Sequence, residues 1–155
     1  MATHLQVGDQ APDFAAPGAD GQTIRLKDFR GKKLVMYFYP MDDTPGCTKQ
    51  ACSLRDANAL IAARGAAILG VSAQGEDSHR KFVEKFNLNF PLLTDTDLAI
   101  AKAYGVAGSG LSGLVRGLAK MSERVTFIID EDSHILHVIS DPDCPDHGEE
   151  VLALL

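Results

Sequence analysis

The sequence predicts an α/β domain, a mixed β-sheet with helices packed on its faces. Apolar runs of strand length recur at 34–39, 66–73, 92–93, 125–129 and 135–139. Segments with helical signals stand between the earlier runs, at about 44–64, 76–86 and 97–104. The last two runs are joined by the polar turn Asp130–His134, which suits an antiparallel hairpin. Strand and helix in alternation, followed by a hairpin, give a mixed sheet between helical layers.

Residues 8–26 carry Gly8, Pro12, Pro17, Gly18 and Gly21 between short apolar pieces, the pattern of an irregular N-terminal β-hairpin. Leu34 to Tyr39 (LVMYFY) is continuously apolar, as a strand covered on both faces is, and Pro40 ends it. A helix is expected to start near Thr44–Gly46 and run to about Arg64. Pro45 suits a first helical turn, Thr44 a cap and Gly65 a helix end. Ala66 to Ala73 reads as a second buried strand. Glu76 to Phe86 sets Phe82 and Phe86 at helical spacing among charges. Leu92-Leu93 is a short strand and Asp97 to Tyr104 a short helix. Residues 105–122 read as a long Gly-rich loop, and His147 to Leu155 as a short closing helix. No repeat or linker interrupts the pattern, so residues 1–155 read as one domain.

A chain of 155 residues can bury one substantial core. Hydrophobic residues at 45 % and charged residues at 23 % fit an ordinary globular protein. The net charge of −6 offers no basic face for phosphates, so nucleic acid is not an expected partner. The opening MATHLQVGDQAPDF has no basic stretch followed by an apolar one, so no signal peptide is expected. No apolar run approaches the ~20 residues that span a bilayer, so no membrane partner is expected either. Three cysteines are too few for a secreted disulfide scaffold, which favours a reducing, cytoplasmic setting.

Gly108-Ser109-Gly110-Leu111-Ser112-Gly113 matches the Gly-x-Gly-x-x-Gly dinucleotide pattern. That motif needs a preceding strand within a βαβ unit, and a short helix precedes it here. It reads as a surface loop.

The chemistry concentrates in PMDDTPGCTKQAC, residues 40–52. Cys47 falls in the first turn of the expected helix, just past a buried strand. Free N–H groups and the helix dipole there favour negative charge, and the thiolate is the nucleophilic form of cysteine. Cys52 follows five residues later. In an unbroken helix that separation is a rise of ~7.5 Å and a turn of ~140°, with Cα atoms roughly 8–9 Å apart. A disulfide needs about 7 Å or less. Cys52 is therefore either a core residue, or the helix start must unwind for the sulfurs to meet. Cys144-Pro145-Asp146-His147 adds a Cys-x-x-His spacing, so Cys47, Cys52, Cys144 and His147 make an alternative metal-binding tetrad. Arg124 opens the strand Val125–Ile129, a place where arginines are commonly solvated. His4, His79, His134 and His137 show no pairing with a nucleophile and read as surface or strand residues. Asp42 and Asp43 suit the helix N-terminus, but beside the sulfur they would disfavour thiolate. Both are expected to face solvent.

These residues resemble the peroxiredoxins. YFYPMDDTPGCTKQACSLRD is similar to their active-site segment, with the motif Pro-x-x-x-Thr-x-x-Cys at Pro40, Thr44 and Cys47. A second cysteine five residues on is similar to the bacterioferritin-comigratory (PrxQ) subgroup. GDQAPDF, DGQTIRLKDFRGKKLVMYFYP, FPLLTDTDLAIAKAYGV and ERVTFIID extend the resemblance over most of the chain.

The resemblance implies a thioredoxin-like fold and a thiol peroxidase without a cofactor. Cys47 would attack hydrogen peroxide or an organic hydroperoxide and become a sulfenic acid. Cys52 would resolve it as an intramolecular disulfide, and a thioredoxin-type dithiol protein would reduce that bond. Arg124 matches the family's active-site arginine, and Pro40 would shield the thiolate. The Thr44 hydroxyl can hold a peroxide, and the Arg124 guanidinium can stabilise negative charge on sulfur and oxygen. Cys144 has no counterpart role. The subgroup implies a monomer. Residues 45–53 are expected to change conformation between redox states.

Overall fold

The computed structural model describes residues 3–107 and 121–155. Strands β1 (Ala15–Pro17) and β2 (Thr23–Arg25) form an antiparallel N-terminal hairpin. The central sheet contains β3 (Lys33–Phe38), β4 (Ala66–Ser72), β5 (Leu92–Thr94), β6 (Val125–Ile129) and β7 (Ile135–Ile139), in the order β5-β4-β3-β6-β7. β3, β4 and β5 run parallel, while β6 is antiparallel to β3 and β7 to β6. Helices α1 (Pro45–Ala63), α2 (Glu76–Phe86), α3 (Ala99–Ala103) and α4 (His147–Leu152) flank the sheet. The mixed sheet with its hairpin extension is the architecture expected from the sequence. The Gly-x-Gly-x-x-Gly run at 108–113 lies outside the described residues.

The continuous apolar run of β3 divides between two cores, because successive strand residues point to opposite faces. Leu34, Met36 and Phe38 pack with Leu69, Val71, Tyr104, Phe127 and Ile129 on one face. Val35, Tyr37 and Tyr39 pack with Leu54, Ile61, Phe82 and Ile128 on the other, under α1 and α2. A central strand covered on both faces has no polar side, which is why the sequence shows no alternation there.

Helix ends differ from the expectation where capping comes from a distance. α3 starts at Ala99 rather than near Asp97, because the buried Asp95 carboxylate accepts the N–H groups of Ile100 (3.0 Å) and Ala101 (2.8 Å). At the chain end, Leu154 and Leu155 donate to the carbonyls three residues back, so α4 tightens and stops at Leu152.

α4 is clamped to the rest of the domain at its first two residues. Gly148 N–H donates to Ser53 Oγ at 2.8 Å, and a Cβ at residue 148 would lie 2.5 Å from the Ser53 carbonyl oxygen. Only glycine lets α4 approach α1 this closely. His147 is fully buried, with Nδ1 2.7 Å from Glu150 Oε1 and Nε2 2.8 Å from Thr126 Oγ1. The carboxylate can only accept, so Nδ1 carries the hydrogen and Nε2 accepts from the threonine hydroxyl. Burial pushes the His147 ring below the ordinary histidine value, with Glu150 opposing.

A ring that resists protonation in the fold binds fewer protons than it does in the unfolded chain. Its contribution to stability is therefore present above the unfolded value of about 6.5 and is lost as pH falls. Lowering the pH from about 7.5 to 5 should reduce the melting temperature of the wild type by a few °C more than that of His147→Gln. Thermal unfolding at both pH values checks this, and equal losses would contradict it.

Candidate active site

Strand β3 delivers the chain to Pro40, half-buried at the strand end, and α1 begins five residues later at Pro45. Cys47 is the third residue of α1 and is 1 % exposed. Arg124 lies just before β6, on the face that Thr126 and Ile128 also occupy. Ile128 joins the core under α1, so the strand's period of two aims Arg124 at the helix start. Arg124 Nη2 donates to Cys47 Sγ at 3.2 Å, and Nη1 donates to Gln50 Oε1 at 2.6 Å. The planar guanidinium thus spans one helical turn of α1, from Cys47 to Gln50. Gly46 makes room for it, since a Cβ there would stand 3.2 Å from Nη2.

The core beneath the sulfur is apolar. Tyr37 is fully buried in the same core as Cys47 and stacks on Tyr39 with ring centres 5.3 Å apart. Burial, followed by the charge on Cys47, pushes the Tyr37 hydroxyl well above its ordinary value, so it stays protonated. Among the described residues Tyr37 Oη and Gln50 Nε2 are buried without a hydrogen-bond partner.

Thr44 occupies the cap position of α1, but its side chain does not cap the helix. Its hydroxyl donates to the Met41 carbonyl at 3.1 Å instead. The hydroxyl proton is thereby committed, and its oxygen keeps lone pairs free to accept.

Cys52 is half-buried rather than a core residue. It shares the unbroken helix α1 with Cys47, and all three cysteines are free thiols. Cys144 is half-buried in a 3-10 turn, Cys144–Asp146, that packs against α1. Burial pushes its thiol up, and the nearby Arg124 charge opposes that. The metal tetrad does not assemble. No group of three or more His, Cys, Asp or Glu side chains among the described residues can hold a metal, and both His147 nitrogens are already engaged.

Two residues depart from the sequence reading. Asp42, expected in solvent, is 9 % exposed, and its carboxylate bonds to Tyr39, Ser78 and His79. His79, expected at the surface or in a strand, lies in α2 and is 0 % exposed. Each fills the other's polar requirement, which is what permits burial of both. Asp43 does face outward and pairs with Lys85 at 2.8 Å. Gln50 was not singled out from the sequence, although its spacing of three from Cys47 on a helix places both on one face. Asp42 and His79 are far apart in the chain, and no local pattern joins them.

The chain matches the AhpC/TSA family over residues 7–138. It is 38 % identical to a putative peroxiredoxin bcp of Coxiella burnetii, covering 97 % of this chain and 99 % of that one. It is 39 % identical to peroxiredoxin Bcp of Escherichia coli K12, over 96 % of this chain and 94 % of that one. The crystal structure of peroxidoxin BcpB from Mycobacterium tuberculosis superposes with a TM-score of 0.86 at 34 % identity, covering 97 % and 96 % of the two chains. A PrxQ variant from Xylella fastidiosa superposes with a TM-score of 0.87 at 28 % identity, covering 98 % and 96 %. A buried cysteine at a helix start, an arginine fork on its sulfur and this agreement along nearly the whole chain lead to one conclusion: the chain belongs to the AhpC/TSA family, as a thiol peroxidase of the Bcp/PrxQ peroxiredoxin group.

Proposed function

We propose that Cys47 is the peroxide-reactive sulfur and that Cys52 resolves it, in one catalytic domain spanning residues 1–155. The observation that carries the reading is the 3.2 Å contact between Arg124 Nη2 and Cys47 Sγ. A guanidinium at that distance favours negative charge on the sulfur and provides the countercharge for the oxygen that departs.

The chemistry follows from the groups around the sulfur. The Cys47 thiolate attacks one oxygen of hydrogen peroxide or an organic hydroperoxide. An S–O bond forms, the O–O bond breaks, and the leaving oxygen departs as water or alcohol after taking a proton. The Thr44 oxygen accepts the hydrogen bond of the peroxide O–H and keeps it in line with the sulfur. Arg124 and the free N–H groups of the first helical turn receive the developing negative oxygen. Pro40 keeps bulk water from the thiolate. Gln50 holds the guanidinium in the plane that the reaction needs.

Resolution needs a second geometry. The Cys52 thiolate attacks the sulfur of the Cys47 sulfenic acid; an S–S bond forms, the S–O bond breaks, and the hydroxyl takes up the proton that the Cys52 thiol released and leaves as water. In an intact α1 the Cα atoms stand roughly 8–9 Å apart, beyond the ~7 Å that a disulfide spans. The start of α1 therefore unwinds between the two steps. A thioredoxin-type dithiol protein then reduces the disulfide. The working form on this reading is a cytoplasmic monomer, as the resemblance to the PrxQ subgroup and the low cysteine count suggest.

Two substitutions test these assignments. Cys47→Ser should abolish fast peroxide consumption, and rapid turnover in that variant would reject Cys47 as the nucleophile. Cys52→Ser should keep the first reduction of one peroxide per chain but form no intramolecular disulfide. Mass mapping of oxidised wild type should find Cys47 bonded to Cys52; a Cys47–Cys144 bond would transfer the resolving role to Cys144.

A further inference from the structure

The segment that carries Thr44 and Cys47 is held from outside the peroxide site. Upstream of α1 the chain turns through Asp42 and Asp43, the latter at a φ of +58°. The Asp42 N–H donates to Gln74 Oε1 at 2.6 Å. Its carboxylate accepts the Tyr39 hydroxyl on Oδ1 at 2.6 Å and the Ser78 hydroxyl on Oδ2 at 2.7 Å. His79 Nδ1 lies 2.7 Å from the same Oδ2, and His79 Nε2 lies 3.0 Å from the Leu93 carbonyl oxygen. One imidazole thus ties the loop before α1 to helix α2 and strand β5.

Proton counting fixes the nature of this contact. A carbonyl oxygen only accepts, so Nε2 carries a hydrogen. The Nδ1–Oδ2 line needs a second one. The pair is then neutral overall, as imidazolium with carboxylate or as imidazole with carboxylic acid. Neither arrangement leaves a lone charge in the 0 % exposed site of His79. Tyr39 completes the cluster as a donor, since burial and then the Asp42 charge push its hydroxyl well above the ordinary value. Nothing in the reduction of peroxide uses these groups.

On the reading that Cys47 and Cys52 form the disulfide, we propose that the Asp42–His79 pair is the fixed hinge of the unwinding segment and sets how fast it opens. Asp42 is two residues from Thr44 and five from Cys47. While it is pinned, the opened segment is tied at its upstream end and samples fewer conformations, which disfavours opening. The same bonds hold Thr44 in the closed arrangement. Removing the anchor acts on both states in one direction, toward opening. His79 is a positioning residue that acts through Asp42. The pair also divides the fate of the sulfenic acid. Slow opening leaves it exposed to a second peroxide, which oxidises the sulfur to sulfinic acid, while fast opening delivers it to Cys52.

The test is quenched-flow mixing of the reduced protein with hydrogen peroxide, with disulfide and sulfinic acid counted by mass. His79→Gln should form the Cys47–Cys52 disulfide about fivefold faster than wild type, the change expected for one lost hydrogen bond of ordinary strength. Ser78→Ala, a milder change at a half-buried position, should form it about twofold faster and fold normally. The sulfinic fraction at high peroxide should fall by matching factors. Ile135→Val, in the opposite core, destabilises the fold without touching the anchor and should keep the wild-type disulfide rate. Wild-type or slower rates in both His79→Gln and Ser78→Ala, with the Cys47–Cys52 bond present, would overturn the hinge alone. Absence of that bond from oxidised wild type would overturn the disulfide reading and the hinge with it.

Discussion

The contact between Arg124 and Cys47 is the interaction on which the rest of the site depends. A sulfur with 1 % exposure is otherwise an inert apolar side chain. The guanidinium at 3.2 Å changes that, because it brings permanent positive charge to the edge of the core that holds Cys47, Tyr37 and Tyr39. Its position is fixed from several directions. The sheet order sets β6 beside β3, so that a residue before β6 reaches a helix that starts after β3. Gln50 holds one nitrogen of the fork, and Gly46 leaves space for the other.

The helix that presents Cys47 also keeps it apart from Cys52. As long as α1 is intact, Cys52 stands on another part of the helix surface and the sulfurs cannot bond. On the proposal that Cys52 resolves Cys47, two clamps would mark the ends of the segment that unwinds. Upstream, Asp42 is tied to Gln74, Ser78 and His79. Downstream, Gly148 of α4 is hydrogen-bonded to Ser53 Oγ and packed on the Ser53 carbonyl. The stretch between these clamps holds Thr44, Cys47 and Cys52. This stretch is bounded by the packing of two other helices, α2 and α4.

The fold was legible in the sequence where hydrophobic pattern and backbone chemistry agree. Glu76–Phe86, Val125–Ile129 and Ile135–Ile139 form as read, and Pro45 and Gly65 bracket α1. The candidate site was legible because Pro40, Thr44, Cys47 and Cys52 lie in one short stretch, and Arg124 was reached through the family resemblance. The remainder depends on contacts between distant segments. The start of α3 is set by Asp95, and the side chain of Thr44 turns to Met41 rather than to the helix. Asp42 reads as a solvent-facing residue and His79 as a surface or strand residue because each is polar alone; only the fold brings them within 2.7 Å. Buried polar pairs of this kind leave no periodic signal in either segment.

We propose that one helix start serves two geometries, closed for peroxide and unwound for the disulfide. Amide hydrogen exchange of the reduced and the disulfide forms, read residue by residue across 45–53, tests it most directly. Protection in this segment should be lost on oxidation, while the later turns of α1 and strands β3 and β6 keep theirs. Equal protection of residues 45–53 in both forms would contradict it.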